Sequence, residues 1–335
     1  MKTEKTLLEV KDLRTYYHTD FGIVKAVDGV SFSLQRGEKV AIIGESGAGK
    51  SQTGMTILNL IESPPGKIES GQVLYEGIDL LKLNEDELRG YRGVRIGVIF
   101  QEAADALNPV YTVGSQIADA YRAHNVCSKQ EAWARAVDIL DKVQIGNAPK
   151  RAGEYPHQFS GGMRQRAVIA LAMVNSPDLL IADEPTTALD VTTEAKIIRL
   201  IDDLVTKEHK SLIFITHDLA VAAGVCHRFI IMYAGRIVEE ASVEKLFSKP
   251  RHPYTHLLLS ALIDLTKSEE EILVVPGTPP DAYNRPIGCP FWPRCPLAQE
   301  RCRQENPPTE IIGPDQKVAC FYHQEYRSLP KVVTI

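Results

Sequence analysis

Eight consecutive residues, Gly44-Glu45-Ser46-Gly47-Ala48-Gly49-Lys50-Ser51, set glycines, an ammonium and a hydroxyl in the order that a chain of phosphates needs. The spacing is G-x-x-x-x-G-K-[ST], which binds nucleotide phosphates where it follows a strand and opens a helix. Glycines let the backbone curl so that successive N–H groups point at phosphate oxygens, and the following helix adds its positive end. Lys50 is placed to reach the β- and γ-phosphates of ATP, and the Ser51 hydroxyl to ligate Mg²⁺.

A second set of chemical groups lies at 179–184, where the apolar run Leu179-Leu180-Ile181-Ala182 ends in Asp183 and Glu184. A carboxylate at the end of a strand near the phosphate loop holds Mg²⁺ through water, the role expected of Asp183. Glu184, one residue on, is expected to polarise the attacking water as a general base. Two acids alone could simply mark a solvent-facing strand end; their company with a phosphate loop argues for hydrolysis.

The elements that must position these groups follow from hydrophobic patterning. Residues 39–43, 179–182 and 212–215 are apolar on both faces, as strands buried in a parallel sheet are. Helical patterns begin after each, near Gly49, Val191 and Leu219, so the pattern predicts a doubly wound α/β core. Residues 7–13, 27–34 and 72–75 alternate apolar and polar, predicting a half-exposed antiparallel sheet. Between the first two buried runs, roughly 105–175, helical periodicity at 131–143 and 161–174 predicts an inserted helical subdomain. A short apolar helix is predicted over 252–263, and beyond it a Pro- and Cys-rich tail with little periodicity, expected to bury little and to need a staple.

Phe159-Ser160-Gly161-Gly162-Met163-Arg164-Gln165-Arg166 resembles the signature motif of the ATP-binding cassette family, usually LSGGQ, with Met163 in place of the Gln. In that family Ser160, Gly161, Gly162 and Met163 would serve the γ-phosphate bound by the other subunit, so that the site closes only in a dimer. The resemblance covers about residues 7–250 and implies further roles. Gln101 corresponds to the Q-loop glutamine that senses Mg²⁺ and faces the membrane subunits. Thr187-Ala188-Leu189-Asp190 corresponds to the D-loop at the dimer interface, and His217 to the switch histidine on the γ-phosphate. Phe21 is the expected adenine-stacking aromatic, with Tyr16 and Tyr17 as competitors. Asn108-Pro109 and Thr112-Val113-Gly114 fall where the family docks its permease. The implied fold is a P-loop NTPase (RecA-like) core with an antiparallel β subdomain and an inserted helical signature subdomain. The nucleotide-binding domain spans 1–250 and a small Cys-rich C-terminal extension spans 251–335.

Arg251-His252-Pro253-Tyr254-Thr255, Pro276-Gly277-Thr278-Pro279-Pro280 and four clustered cysteines look like the extension of oligopeptide and dipeptide importer ATPases. Cys289, Cys295, Cys302 and Cys320 read C-x₅-C-x₆-C-x₁₇-C, and four thiolates can close a zinc site or hold an iron–sulfur cluster. The absence of a C-x₂-C pair weakens the zinc-finger reading. The resemblance implies a 4Fe–4S cluster, with Zn²⁺ as the alternative. Cys127 and Cys226 read as buried small hydrophobes.

The 335 residues carry a net charge of −5, which gives no electrostatic reason to expect nucleic acid as a partner. No apolar run approaches the ~20 residues needed to span a bilayer, and residues 1–12 lack the apolar stretch of a signal peptide. The expected location is the cytoplasmic face of the membrane, reached through partners. Those partners, implied by the family, are a second ATPase subunit (a paralogue, head to tail), two membrane-spanning permease subunits and an extracytoplasmic peptide-binding protein acting through the permease. Motors of nickel and antimicrobial-peptide transporters are the alternative reading. A cassette acting on nucleic acid is a weaker one, because neither a tandem cassette nor a coiled coil is present.

Overall fold

The computed structural model describes residues 6–101, 106–187, 189–261, 275 and 277–325. Ala188 of the expected D-loop, Pro276 of the tail motif, and residues 105, 262 and 263 at the edges of expected helical segments lie outside the described residues. Two compact units divide the chain, one built from residues 1–34, 39–81 and 215–335, the other from 35–38 and 82–214. The expected cut at residue 250 does not coincide with this division, because the segment after 250 falls in the same unit as the N-terminal strands.

The first unit holds two sets of strands. β1 (Thr6–Thr19), β2 (Gly22–Gln35), β4 (Gly66–Tyr75) and β5 (Ile78–Asp79) lie in the order β2-β1-β4-β5, with β1–β4 and β4–β5 antiparallel. These strands run well beyond the alternating segments that predict them, and most of the added residues are half-buried or exposed. β3 (Lys39–Ile43) pairs in parallel with β9 (Arg228–Tyr233), as its two-sided burial requires. β9 continues antiparallel into β10 (Arg236–Ser242). Two short strands of the tail, β11 (Glu310–Gly313) and β12 (Gln316–Val318), then extend the same run by antiparallel pairing.

The tail therefore buries more than its composition predicts. Phe291 is fully buried, its ring 5.2 Å from that of Tyr233 and 5.3 Å from that of Tyr254. Aromatic pairs at such separations add stability beyond the area they bury. Glu239, wholly buried in β10, accepts hydrogen bonds from the backbone N–H groups of Arg251 and His252, both 2.8 Å, and from the Gln316 amide at 2.9 Å. Three donors satisfy the carboxyl that β10 would otherwise leave orphaned, and they bind the helix Pro253–Ser260 and β12 to the sheet.

A polar cluster anchors β2. Asp28 accepts from Arg14 at 2.7 Å, from the Tyr16 hydroxyl at 2.8 Å and from Arg236 at 2.8 Å. Burial alone would raise its pKa, but Tyr16, Arg236 and Arg14 outweigh that and hold the carboxyl below its ordinary range.

In the second unit, β6 (Ile96–Ile99) pairs in parallel with β7 (Leu179–Asp183); β8 (Ser211–Thr216), next in strand order, has its first four residues in this unit and its last two in the first. Helices Val113–Arg122, Lys129–Lys142 and Gly161–Met173 lie between β6 and β7 in sequence. The second starts at a capping box, Ser128 with Glu131, which satisfies two otherwise free N–H donors reciprocally. The helix Val191–Lys207 buries Ile197, Leu200, Ile201, Leu204 and Val205, the i, i+3, i+4 stripe of an amphipathic helix. Among the described residues no helix is long and apolar enough to cross a membrane.

His252 supplies a pH test of this packing. It is fully buried, its Nδ1 accepts from Tyr254 N–H at 3.1 Å, and burial pulls its pKa down to about 3. The unfolded chain takes up a proton there below about pH 6.5, so stability falls as pH drops through the window down to about 3. Glu239, raised by burial, acts oppositely, losing its contribution as pH rises. His252→Asn, which keeps a cap acceptor, is expected to flatten the acid side of the stability profile. Urea midpoints measured between pH 4 and 7 check this, and parallel profiles for the two proteins would contradict it.

Candidate functional site

The phosphate cradle begins where β3 ends and turns directly into the helix Lys50–Ile57. Backbone crowding dictates its glycines. A Cβ on Gly44 would overlap the Met232 carbonyl oxygen, and one on Gly49 would overlap that of Ala26. Gly49 also sits at φ 94°, where only glycine is unstrained. The loop is tied back by Gly235 N–H to the Ala48 carbonyl and by Asp28 N–H to the Gly235 carbonyl, both 2.8 Å. Lys50 is buried, and its Nζ donates to the carbonyls of Gly44 at 2.9 Å and Glu45 at 3.1 Å. Its ammonium is thus held along the inner curve of the loop. Ser46 and Gly47 are exposed at the crest.

Beside the loop lies a cavity of about 360 Å³, lined by Tyr17, Val24 and Gln52, by loop residues 45–49, and by Pro279, Pro280 and Arg285 of the tail. Tyr17 donates a short hydrogen bond to the Gln52 side chain. Tyr16 is engaged with Asp28. Phe21, the expected base-stacking ring, stands at the β1–β2 turn at 87% exposure and is not among the residues that line the cavity.

The tail also grips the loop. Arg294 makes a two-pronged ion pair with Glu45, Nη1 to Oε2 at 2.7 Å and Nη2 to Oε1 at 3.0 Å. It lies over the Tyr233 ring, 5.8 Å from its centroid, and donates to that hydroxyl at 3.3 Å. The Tyr254 hydroxyl accepts from the Glu45 N–H at 2.9 Å. Burial lowers the pKa of Arg294, but Glu45 and Tyr233 more than reverse this. Nothing in the local sequence marks these contacts, since the partners are 249 residues apart.

In the other unit, Asp183 is buried at the end of β7. Glu184 follows at φ 41°, a left-handed conformation that breaks the strand there, and its carbonyl accepts from Thr187 N–H at 3.2 Å. The Gln101 amide donates to its carboxylate at 3.3 Å, so two of the expected hydrolytic residues meet. Ser160 caps the helix Gly161–Met173, accepting from Met163 N–H at 3.3 Å, with Ser160 and Gly161 exposed. A Cβ on Gly162 would come within 2.8 Å of the Thr193 methyl, which explains the small residue there. Asp190 caps the helix Val191–Lys207, and hydrogen bonds from the Thr192 hydroxyl and the Thr193 N–H hold its carboxyl well below the ordinary range. His217 follows β8 in sequence, belongs to the first unit and is exposed.

The four clustered cysteines lie in the tail of the first unit. The Cys289 N–H donates to the Cys302 carbonyl at 2.9 Å, and Cys289, Cys302 and Cys320 are buried. Burial pushes the Cys289 thiol up to about 11 and those of Cys295 and Cys320 to about 12, with a further rise from neighbouring thiols of the set. Among the described residues, no group of three or more His, Cys, Asp or Glu side chains could hold a metal ion. Cys226 is buried as expected, whereas Cys127 is only half-buried.

Residues 27–187 match the family described as ABC transporter, and residues 238–302 match the oligopeptide/dipeptide transporter C-terminal region. The chain is 50% identical over 303 residues to the oligopeptide transport ATP-binding protein OppD of Bacillus subtilis (strain 168), covering 90% of this chain and 85% of that one. It is 43% identical over 316 residues to the dipeptide transport ATP-binding protein DppD of Escherichia coli (strain K12), covering 94% and 96%. In structure it resembles the dimeric ATP-binding cassette MJ0796 in a post-hydrolysis state with ADP and Pi. The TM-score is 0.63 at 31% identity, over 70% of this chain and 98% of that one.

The crowding at the cradle makes a graded prediction. Gly49→Ala meets both the positive φ and the Ala26 carbonyl, whereas Gly47→Ala meets a positive φ but no atom within 4 Å. Gly49→Ala is expected to abolish measurable ATP binding, and Gly47→Ala to weaken it by about tenfold, the equivalent of ~1–2 kcal/mol of backbone strain. Displacement of a fluorescent ATP analogue checks the order.

Proposed function

The chain belongs to the ABC transporter family, as an ATP-binding subunit carrying the oligopeptide/dipeptide transporter C-terminal region, and we propose that it hydrolyses ATP to power peptide import across the cytoplasmic membrane. The observation that carries hydrolysis is Glu184, set by a strand-breaking turn directly after Asp183 and met by the Gln101 amide.

In this reading the loop Gly44–Ser51 binds the phosphates through backbone N–H groups and Lys50. Glu184 takes the proton of the attacking water, while His217 holds the γ-phosphate. Adenine stacking is assigned to Tyr17, the competitor that lines the cavity beside the loop, rather than to Phe21, which does not line it; Phe21→Ala is the control. Ser51, Gln101 and Asp183 offer hard oxygen donors that suit Mg²⁺, which in such sites uses one or two carboxylates plus phosphate oxygens rather than a protein cage. Held by donors of this kind, Mg²⁺ would neutralise phosphate charge.

Ser160, Gly161, Gly162 and Met163 would complete the site of a second ATPase subunit, and Asp190 would sit at that interface. Closure of such a dimer converts γ-phosphate contacts into motion. Residues 108–114, with the exposed side chains of Val110 and Tyr111, would transmit it to two permease subunits at the cytoplasmic face. An extracytoplasmic binding protein would deliver the peptide, and a paralogue as the second ATPase fits the same scheme.

For Cys289, Cys295, Cys302 and Cys320 the 4Fe–4S reading, with Zn²⁺ as the alternative, rests on the donor chemistry of four soft thiols alone, since among the described residues no group of side chains could hold a metal ion. About four iron and four sulfide per chain in anaerobically purified protein are expected, and one zinc without sulfide would overturn the assignment.

Glu184→Gln is expected to lower single-turnover ATP hydrolysis by about 100-fold or more while leaving ATP affinity within a few-fold of wild type. Equal rates would remove the assigned base.

A further inference from the structure

A carboxylate in a phosphate-binding loop needs an explanation. Glu45 is the second residue of the cradle, and its charge has the same sign as the ligand's. Its carbonyl receives the Lys50 ammonium at 3.1 Å, its N–H is held by Tyr254, and its carboxylate is taken by both prongs of Arg294. Arg294 comes from the short helical turn Trp292–Arg294, inside the segment between Cys289 and Cys295. It is 8% exposed, and Phe291, fully buried against Tyr233 and Tyr254, fixes the turn that carries it. A paired, hydrogen-bonded charge of this kind is held far more rigidly than a surface ion pair.

We propose that Arg294 is a positioning residue for ATP: by drawing the Glu45 carboxylate away from the phosphates and fixing the start of the loop, the Cys-rich extension sets the affinity of the cradle. Chemistry stays with the groups described above, and Arg294 acts only through Glu45. The inference rests on the nucleotide reading of residues 44–51. It predicts that the two side chains are coupled: without Arg294 the carboxylate loses both guanidinium contacts beside the phosphates, and without Glu45 the guanidinium loses the same two contacts to the loop.

The experiment uses the full chain, with ATP affinity read by displacement of a fluorescent analogue and KM and kcat read from steady-state hydrolysis. Arg294→Ala is expected to raise Kd and KM about tenfold with kcat at saturation within about threefold of wild type, the split expected of altered binding rather than altered chemistry. Arg294→Lys, which keeps the charge but not the fork, is expected to fall between the two. Adding Glu45→Gln to Arg294→Ala is expected to cause no further loss and to recover part of the affinity. ATP affinity within twofold of wild type in a folded Arg294→Ala protein would overturn the proposal, as would losses that simply multiply in the double variant. If Arg294→Ala does not fold, Arg294→Lys and Glu45→Gln decide, and wild-type affinity in both would overturn it. A wild-type chain that binds no ATP would instead remove the nucleotide reading itself.

Discussion

Backbone crowding around residues 44–49 is the constraint on which the first unit depends. The loop has the carbonyl oxygens of Met232 and Ala26 pressed against Gly44 and Gly49, and Gly235 bridges it to β2. Three separate stretches of chain thus meet at main-chain contact distance, leaving no room for a side chain at those two positions. Close packing of this sort is stiff, because any shift of the loop has to move strands as well. The shape that phosphates need is therefore built before ligand arrives, and little ordering is left to be done on binding.

The same economy governs charge. Asp28, Glu45 and Glu239 are acids in places where a lone carboxylate would be costly, and each is met by several donors. Breaking such a set by removing one partner costs more than the set contributes net. The aromatic group of Tyr233, Tyr254 and Phe291 does for shape what these sets do for charge, since it fills the space between β9 and the tail.

What was legible in the sequence was local. The phosphate loop, β3 and β7 follow from consecutive residues, and Ser160 and Asp190 stand where helices start, as their side-chain caps require. The tail looks poor in core by sequence because Phe291 in a run of Pro and Cys gives no periodic signal. Its burial depends on Tyr233 and Tyr254, far away in the chain. The strands β11 and β12 escaped for a related reason, being only four and three residues long. Spacing favours Phe21 over Tyr16 and Tyr17, yet Tyr17 is the ring that lines the cavity, because which ring faces the cradle is decided by strand register and not by distance along the chain.

The separation of Glu45 from Arg294 has a consequence for biogenesis. The loop leaves the ribosome before its clasp, which is encoded 249 residues later. At synthesis rates of roughly 5–20 residues per second, about 12–50 s pass between the two. A nascent chain thus carries a recognisable phosphate loop long before it carries the residue that secures it, and translation order alone delays a mature cradle until the tail has emerged.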